Sequence, residues 1–309
     1  MNLNEALSAN AVPVSPEPSE TSYFSSPQAG LDPRLFRDNQ LIGTIRNGIL
    51  RVLFEHLEAN YHNPQAYIHA WLAGSGVSYQ WAANRSPADL DCLIGVDYIK
   101  FKQSNPKYAG FSDKEISDMF NENFRAELQP LTENYLGTFE LTFYVNVQTD
   151  IRNIKPYAAY SLTNDDWTVE PQQVSLTLGR DWERRVTRDK NMAVEILTRY
   201  SDALGSIGTA TSSAARINAE AALKLAVEQG AALFEDLHHG RNAAFSQSGL
   251  GYLDYANYRW QAGKKAGVVQ ALKKLKDISK KTRQEFESQT YGMELPDARV
   301  LIRRAITPR

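Results

Sequence analysis

An α+β protein is predicted, a mixed-sheet domain followed by an all-α domain, on three grounds. Residues 138–147 alternate strictly, with Phe139, Leu141, Phe143, Val145 and Val147 on one face and Glu140, Thr142, Tyr144 and Asn146 on the other. That two-residue period is the mark of a half-buried strand. Two more apolar stretches, 67–73 and 88–97, have strand length and lie on either side of Gly74-Ser75-Gly76. Beyond Arg188 the apolar period lengthens to that of a helix.

Taken in order, residues 1–34 are rich in Ser, Pro, Ala and Glu without periodicity, which predicts a disordered tail. Leu41, Ile45, Ile49, Leu53 and Leu57 recur every four residues as one helix face, and Asn63-Pro64 ends it. Tyr67–Ala73 reads as a buried strand running into the Gly-Ser-Gly turn, and 88–97 as a second strand. A helix is expected over 112–127, where Ser112 and Glu115 make a capping box. The third strand is 138–147, and a short one is expected at 173–178. Three helical stripes follow: Ala193, Ile196, Leu197, Tyr200 and Leu204; then Ile217, Ala221 and Leu225; then Val268, Leu272 and Leu275. The expected layout is a tail over 1–34, a sheet domain over 35–185 and a helical domain over 186–309.

The 309 residues are 42% hydrophobic and 23% charged, the composition of an ordinary globular protein. No apolar run reaches the roughly 18 residues of a membrane span, so no membrane partner is expected. The N-terminus lacks a basic cluster followed by an apolar stretch, and Cys92 is the single cysteine. Both predict a cytoplasmic protein without disulfides. Net charge is −2, but residues 259–283 carry nine Lys or Arg against Asp277 alone, a local +8. That asymmetry points to a polyanionic partner, such as a nucleic acid, at 259–283.

On strand 88–97, Asp89 and Asp91 are two residues apart and share a face, opposite Leu90, Cys92 and Ile94. Paired carboxylates repel, and a divalent cation relieves that. Hard oxygen donors favour magnesium or manganese over zinc. Asp-x-Asp alone is commonly a solvated pair on an edge strand. The upstream Gly-Ser, whose backbone N–H groups suit an anion, shifts the reading towards metal. A third carboxylate is expected on a neighbouring strand. Glu140 sits inside an apolar alternation, and the rival Asp150 begins a loop about 33 Å further along a strand. His238-His239 lacks a spaced third ligand for zinc. Tyr252, Tyr255, Tyr258 and Trp260, like Trp71 and Trp81, read first as packing residues.

Leu72-Ala73-Gly74-Ser75, then thirteen residues, then Asp89-Leu90-Asp91-Cys92 resembles the nucleotidyltransferase superfamily of the DNA polymerase β type. The resemblance covers residues 67–147, about a quarter of the chain. It implies a nucleotidyltransferase domain with Gly74 and Ser75 on a nucleoside triphosphate. It also implies two magnesium or manganese ions on Asp89, Asp91 and Glu140. Arg241 and Lys264 are further candidates for the triphosphate. The implied activity moves a nucleotidyl group to a hydroxyl acceptor, RNA or tRNA among them. The alternative from another class is a non-catalytic RNA-binding or antitoxin-like regulatory protein that retains the fold.

Overall fold

The computed structural model describes residues 15–16, 18, 28–83, 87–173, 177–246 and 248–291. These divide into a sheet body of Glu20–Leu178 and Gly240–Gln261, and a helical body of Gly179–His239 and residues from Ala262 onward, with which Met1–Ser19 is grouped.

In the sheet body, β1 (Phe36–Arg37) and β2 (Gln40–Leu41) form a two-stranded ribbon. Its turn residues Asp38 and Asn39 take φ values of 50° and 62°, the left-handed geometry of a tight hairpin. Helix α1 (Gly43–Asn60) buries Ile45, Ile49, Leu53 and Leu57, the expected face. Leu41, expected on the same helix, belongs to β2 instead. Strands β3 (Ile68–Ala73) and β4 (Ala88–Val96) are antiparallel. Helix α2 (Tyr98–Ser104) comes next, capped by the Asp97 side chain.

Helix α3 (Asp113–Asn123) begins with the capping box of Ser112 and Glu115. It does not continue as α-helix to residue 127: Phe124–Leu128 widen into a π turn before α4 (Gln129–Thr132). Pro130 lacks an N–H and crowds the carbonyl one turn back, and a wider turn accommodates it. Strand β5 (Phe139–Val145) then pairs parallel with β4. The alternation ends at Val145, and Val147 is exposed because the strand has already ended.

Two short strands that the sequence pattern does not anticipate, β6 (Ala159–Ser161) and β7 (Asp166–Val169), complete a five-stranded sheet of order β5-β4-β3-β6-β7. The sheet is mixed, since only β4–β5 is parallel. The strand expected at 173–178 falls partly outside the described residues, as does most of the expected tail. Residues 28–34 are an exception to that tail. Gln28 N–H donates to Tyr79 O at 2.8 Å, and Leu35 N–H to Asp32 O at 2.9 Å. Composition hides them, because a few backbone bonds and one buried carboxylate hold this segment rather than an apolar stripe.

Leu90, Cys92, Ile94 and Leu141 pack with α1, α3 and the π turn into one core, so one sheet face is covered by helices. Gly95 is required on β4: a Cβ there would lie 2.2 Å from Thr149 O and 2.9 Å from the Trp71 ring. Gly95→Ala should therefore lower unfolding stability by about 1–3 kcal/mol, read by chemical denaturation.

The helical body contains α5 (Trp182–Thr209), most of α6 (Ser213–Ala244), the end of α7 (Tyr255–Lys265) and α8 (Val268–Tyr291). The α5 and α8 stripes are buried largely as expected. The α6 stripe is not: Ile217 and Leu225 are 63% and 57% exposed, and Ala219, Leu223, Ala226 and Val227 are buried in their place. Gly230 lets α8 come close, since a Cβ there would meet Leu275 Cδ1 at 2.3 Å. No described helix is long and apolar enough to cross a membrane.

Candidate active site

The sheet face opposite α1 and α3 carries the carboxylates, next to a small cluster of Trp71, Ala73, Ile151 and Ala159. Along β4, Leu90, Cys92 and Ile94 are buried, so Asp89 and Asp91 turn to the other side. Strand β5 alternates in the same way and presents Glu140 and Thr142. The parallel register places Asp89 against Glu140 and Asp91 against Thr142. Paired positions on adjacent strands are about 4.8 Å apart, so the backbones of Asp89 and Glu140 are nearest neighbours across the two strands. Thr142 Oγ1 donates to Asp91 Oδ1 at 3.0 Å and fixes that carboxylate's orientation.

The turn after β3 closes over the same two aspartates. Ala73 pairs with Asp91, and the chain leaves the strand at Gly74 with φ +92°. A Cβ at Gly74 would lie 3.4 Å from Asp91 Oδ2, and one at Gly76 would lie 2.8 Å from Asp89 O. Glycine is needed here for two reasons, a left-handed backbone and a close approach. Gly74 N–H donates to Ala158 O at 3.2 Å, and Ser75–Val77 form a 3-10 turn. Glycine, serine and three carboxylates are thus brought to one end of one sheet face.

The rival Asp150 lies elsewhere. It pairs with Arg152 at 2.7 Å, and Arg152 holds its pKa below the usual carboxylate value. It also acts electrostatically on His69, which pairs with Gly95, four residues or about 13 Å along β4 from Asp91. His69 Nε2 lies 3.0 Å from Ser161 Oγ, the spacing of a hydrolytic pair. Ser161 is 1% exposed, however, and its oxygen accepts the Asn164 N–H, so the hydroxyl is structural.

Arg241, in the last turn of α6, belongs to the sheet body. The segment after it docks on the loop before β6: Lys155 Nζ donates to Gly249 O, and the Tyr157 and Tyr252 rings touch. The Arg241 guanidinium lies 5.5 Å from the Phe245 ring centroid and 5.9 Å from that of Trp260. Its Nε is buried with no hydrogen-bond partner among the described residues. Burial lowers its pKa, and the Asp91 charge acts in the opposite sense. A partly desolvated cation beside a carboxylate, with an orphan donor, is suited to an anion.

No family model, curated protein or solved structure matches this chain. The residues of the site alone carry its chemistry.

Lys264 lies in the last turn of α7 and is counted with the helical body, so it is not among the sheet-body residues that build this constellation. Of the basic run, Lys276 pairs with Glu235 at 2.6 Å and Arg283 with Glu287 at 2.8 Å, while Lys273, Lys274, Lys280 and Lys281 are exposed. His239 pairs with Glu235, and His238 stacks on Phe234. Cys92 is fully buried and its thiol pKa is pushed up by burial, which makes it inert packing. Among the described residues no three His, Cys, Asp or Glu side chains form a ready-made cage for an ion. Asp89 and Glu140 are paired by register, Asp91 follows two residues along the same face, and this all-oxygen donor set suits magnesium or manganese.

One group at this site escapes sequence reasoning. Asp32 and Arg34 line a cleft together with Ser75, Gly76, Trp81 and Asp89. The only signal for them is an acid and a base two residues apart, within a stretch whose composition reads as tail.

Proposed function

We propose that this chain is a metal-dependent nucleotidyltransferase of two-metal type, moving a nucleotidyl group from a nucleoside triphosphate to a hydroxyl acceptor. The observation that carries the reading is the β4–β5 register, which sets Glu140 beside Asp89 while Gly74 crosses against Asp91. Asp89, Asp91 and Glu140 would hold magnesium or manganese. Bound ions would supply charge neutralisation at the triphosphate and a lowered pKa for the acceptor hydroxyl. The chain's other residues position the reactants. Backbone N–H groups of Ser75 and Gly76 and the guanidinium of Arg241 bind the triphosphate oxygens, while the Gly74 N–H stays on Ala158 O and holds the turn in place. The acceptor oxygen forms a bond to the α-phosphorus, whose bond to the bridging oxygen breaks. Pyrophosphate leaves with that electron pair, and the hydroxyl proton passes to the Glu140 carboxylate.

Incubating the protein with each α-labelled nucleoside triphosphate, magnesium and total RNA tests this. Label transferred to RNA, to nucleotide or to the protein itself supports the reading and names the base. The second reading, RNA binding without catalysis, rests on the four exposed lysines of α8. Replacing Lys273, Lys274, Lys280 and Lys281 by Gln should weaken RNA binding. It should also reduce the log–log salt slope by about 0.7–0.9 for each phosphate no longer neutralised. RNA binding of this kind, with no transfer from any triphosphate, would favour the regulatory protein.

A further inference from the structure

Arg34 is held on every side but one. Its backbone N–H and Nε each donate to Asp32 Oδ1 at 2.9 Å, and Nη2 donates to Asp32 Oδ2 at 2.6 Å. Asp32 is 2% exposed, so this carboxylate has left water to hold the guanidinium. The guanidinium carbon lies over two rings, 4.9 Å from the centroid of Phe139 and 5.7 Å from that of Trp81. Trp81 is itself fixed, its Nε1 donating to Gly30 O at 2.9 Å. The remaining nitrogen, Nη1, has no hydrogen-bond partner among the described residues. These side chains share their cleft with Ser75, Gly76 and Asp89.

A guanidinium fixed along one edge and packed over two rings binds an oxyanion with little further loss of side-chain freedom. Its planar fork matches phosphate. The adjoining indole offers a surface on which any nucleobase can stack. The pairing of a phosphate donor with a stacking ring describes a nucleotide.

The cleft's place relative to the carboxylates indicates which nucleotide. Gly74 and Arg241 both answer to Asp91. Arg34 lies over the ring of Phe139, the residue before Glu140, and its cleft reaches Asp89. An in-line displacement needs the entering and leaving oxygens on opposite sides of the α-phosphorus. With pyrophosphate on the Asp91 side, the entering hydroxyl comes from the Asp89–Glu140 side.

We propose that the Arg34–Trp81 cleft is the acceptor subsite and that the acceptor is a nucleotide, its phosphate on Arg34, its base on Trp81 and its hydroxyl at Asp89. This rests on the nucleotidyltransferase reading. The nucleotide is either free or the terminal residue of an RNA, and both present the same chemistry.

Binding without turnover tests it. The full-length Asp91→Asn protein, in chelator and without triphosphate, is titrated calorimetrically with each nucleoside monophosphate, the matching nucleoside and a short RNA. At least one monophosphate or the RNA should bind. Adding Trp81→Ala should raise that dissociation constant about tenfold, whereas Trp81→Phe should keep most of the affinity. Arg34→Lys should weaken the phosphorylated ligand and not the bare nucleoside. Because Arg34→Lys disturbs a buried carboxylate, the Trp81 pair stands as the fold-neutral arm. Loss confined to RNA supports a terminal nucleotide, and loss shared by monophosphate and RNA supports a free one. Unchanged constants in both Trp81→Ala and Arg34→Lys overturn the proposal. So does an effect on triphosphate binding alone, which would make the cleft a donor site. A subsite that binds monophosphate as described, in a wild-type chain that transfers no label, would sink the transferase reading and leave the nucleotide site standing.

Discussion

Asp91→Asn is expected to reduce nucleotidyl transfer by about a thousandfold or more, the scale on which removing one preorganised charge from a reaction centre acts. The fold should survive, because Asp91 is exposed and the Thr142 hydroxyl that donates to Oδ1 can donate equally to an amide oxygen. Melting temperature should stay level or rise slightly, since one of two like charges on the same strand face is removed. Steady-state transfer of label and a thermal melt on the same preparation read both quantities. Turnover within tenfold of wild type, with an unchanged melt, would place the chemistry elsewhere. Glu140→Gln should behave like Asp91→Asn, whereas Asp150→Asn should cost little activity, since Asp150 is engaged with Arg152.

Arg241→Met should move affinity and stability in opposite directions. A charge-assisted hydrogen bond contributes about 1.5–3 kcal/mol, so KM for the triphosphate should rise roughly tenfold to a hundredfold. Stability should stay level or increase, because an apolar side chain against Phe245 and Trp260 removes a buried Nε that has no partner among the described residues. Triphosphate titration and denaturant unfolding separate the cases. Lost stability with unchanged triphosphate affinity would make Arg241 a packing residue.

Strand alternation makes much of this site legible. The two-residue period of 138–147 puts Glu140 on a polar face, and Asp89 and Asp91 face away from Leu90, Cys92 and Ile94 in the same way. Periodicity cannot give register, and it is the parallel pairing of β4 with β5 that makes Glu140 and Asp89 neighbours. Strands β6 and β7 are not legible, because three and four residues are too few to show a period. On α6 the stripe through Ile217 and Leu225 is the wrong face. Alanine-rich helices offer several candidate faces, and the small residue Gly230 against Leu275 decides which one packs. Arg34 is hidden for a different reason. It is placed by Asp32, two residues away, and by rings of Phe139 and Trp81 far along the chain, and no local pattern encodes that arrangement.

If Asp89, Asp91 and Glu140 act together on divalent cations at a bound triphosphate, the ions themselves can be counted. Manganese binding is measured by electron paramagnetic resonance with a non-hydrolysable nucleoside triphosphate present. Wild-type protein should remove free manganese from the spectrum. Asp89→Asn, Asp91→Asn and Glu140→Gln should each leave most of it free at the same concentrations, while Asp150→Asn should match wild type. Manganese uptake that is unaffected by all three substitutions, or lost only with Asp150→Asn, would contradict a metal site on these three carboxylates.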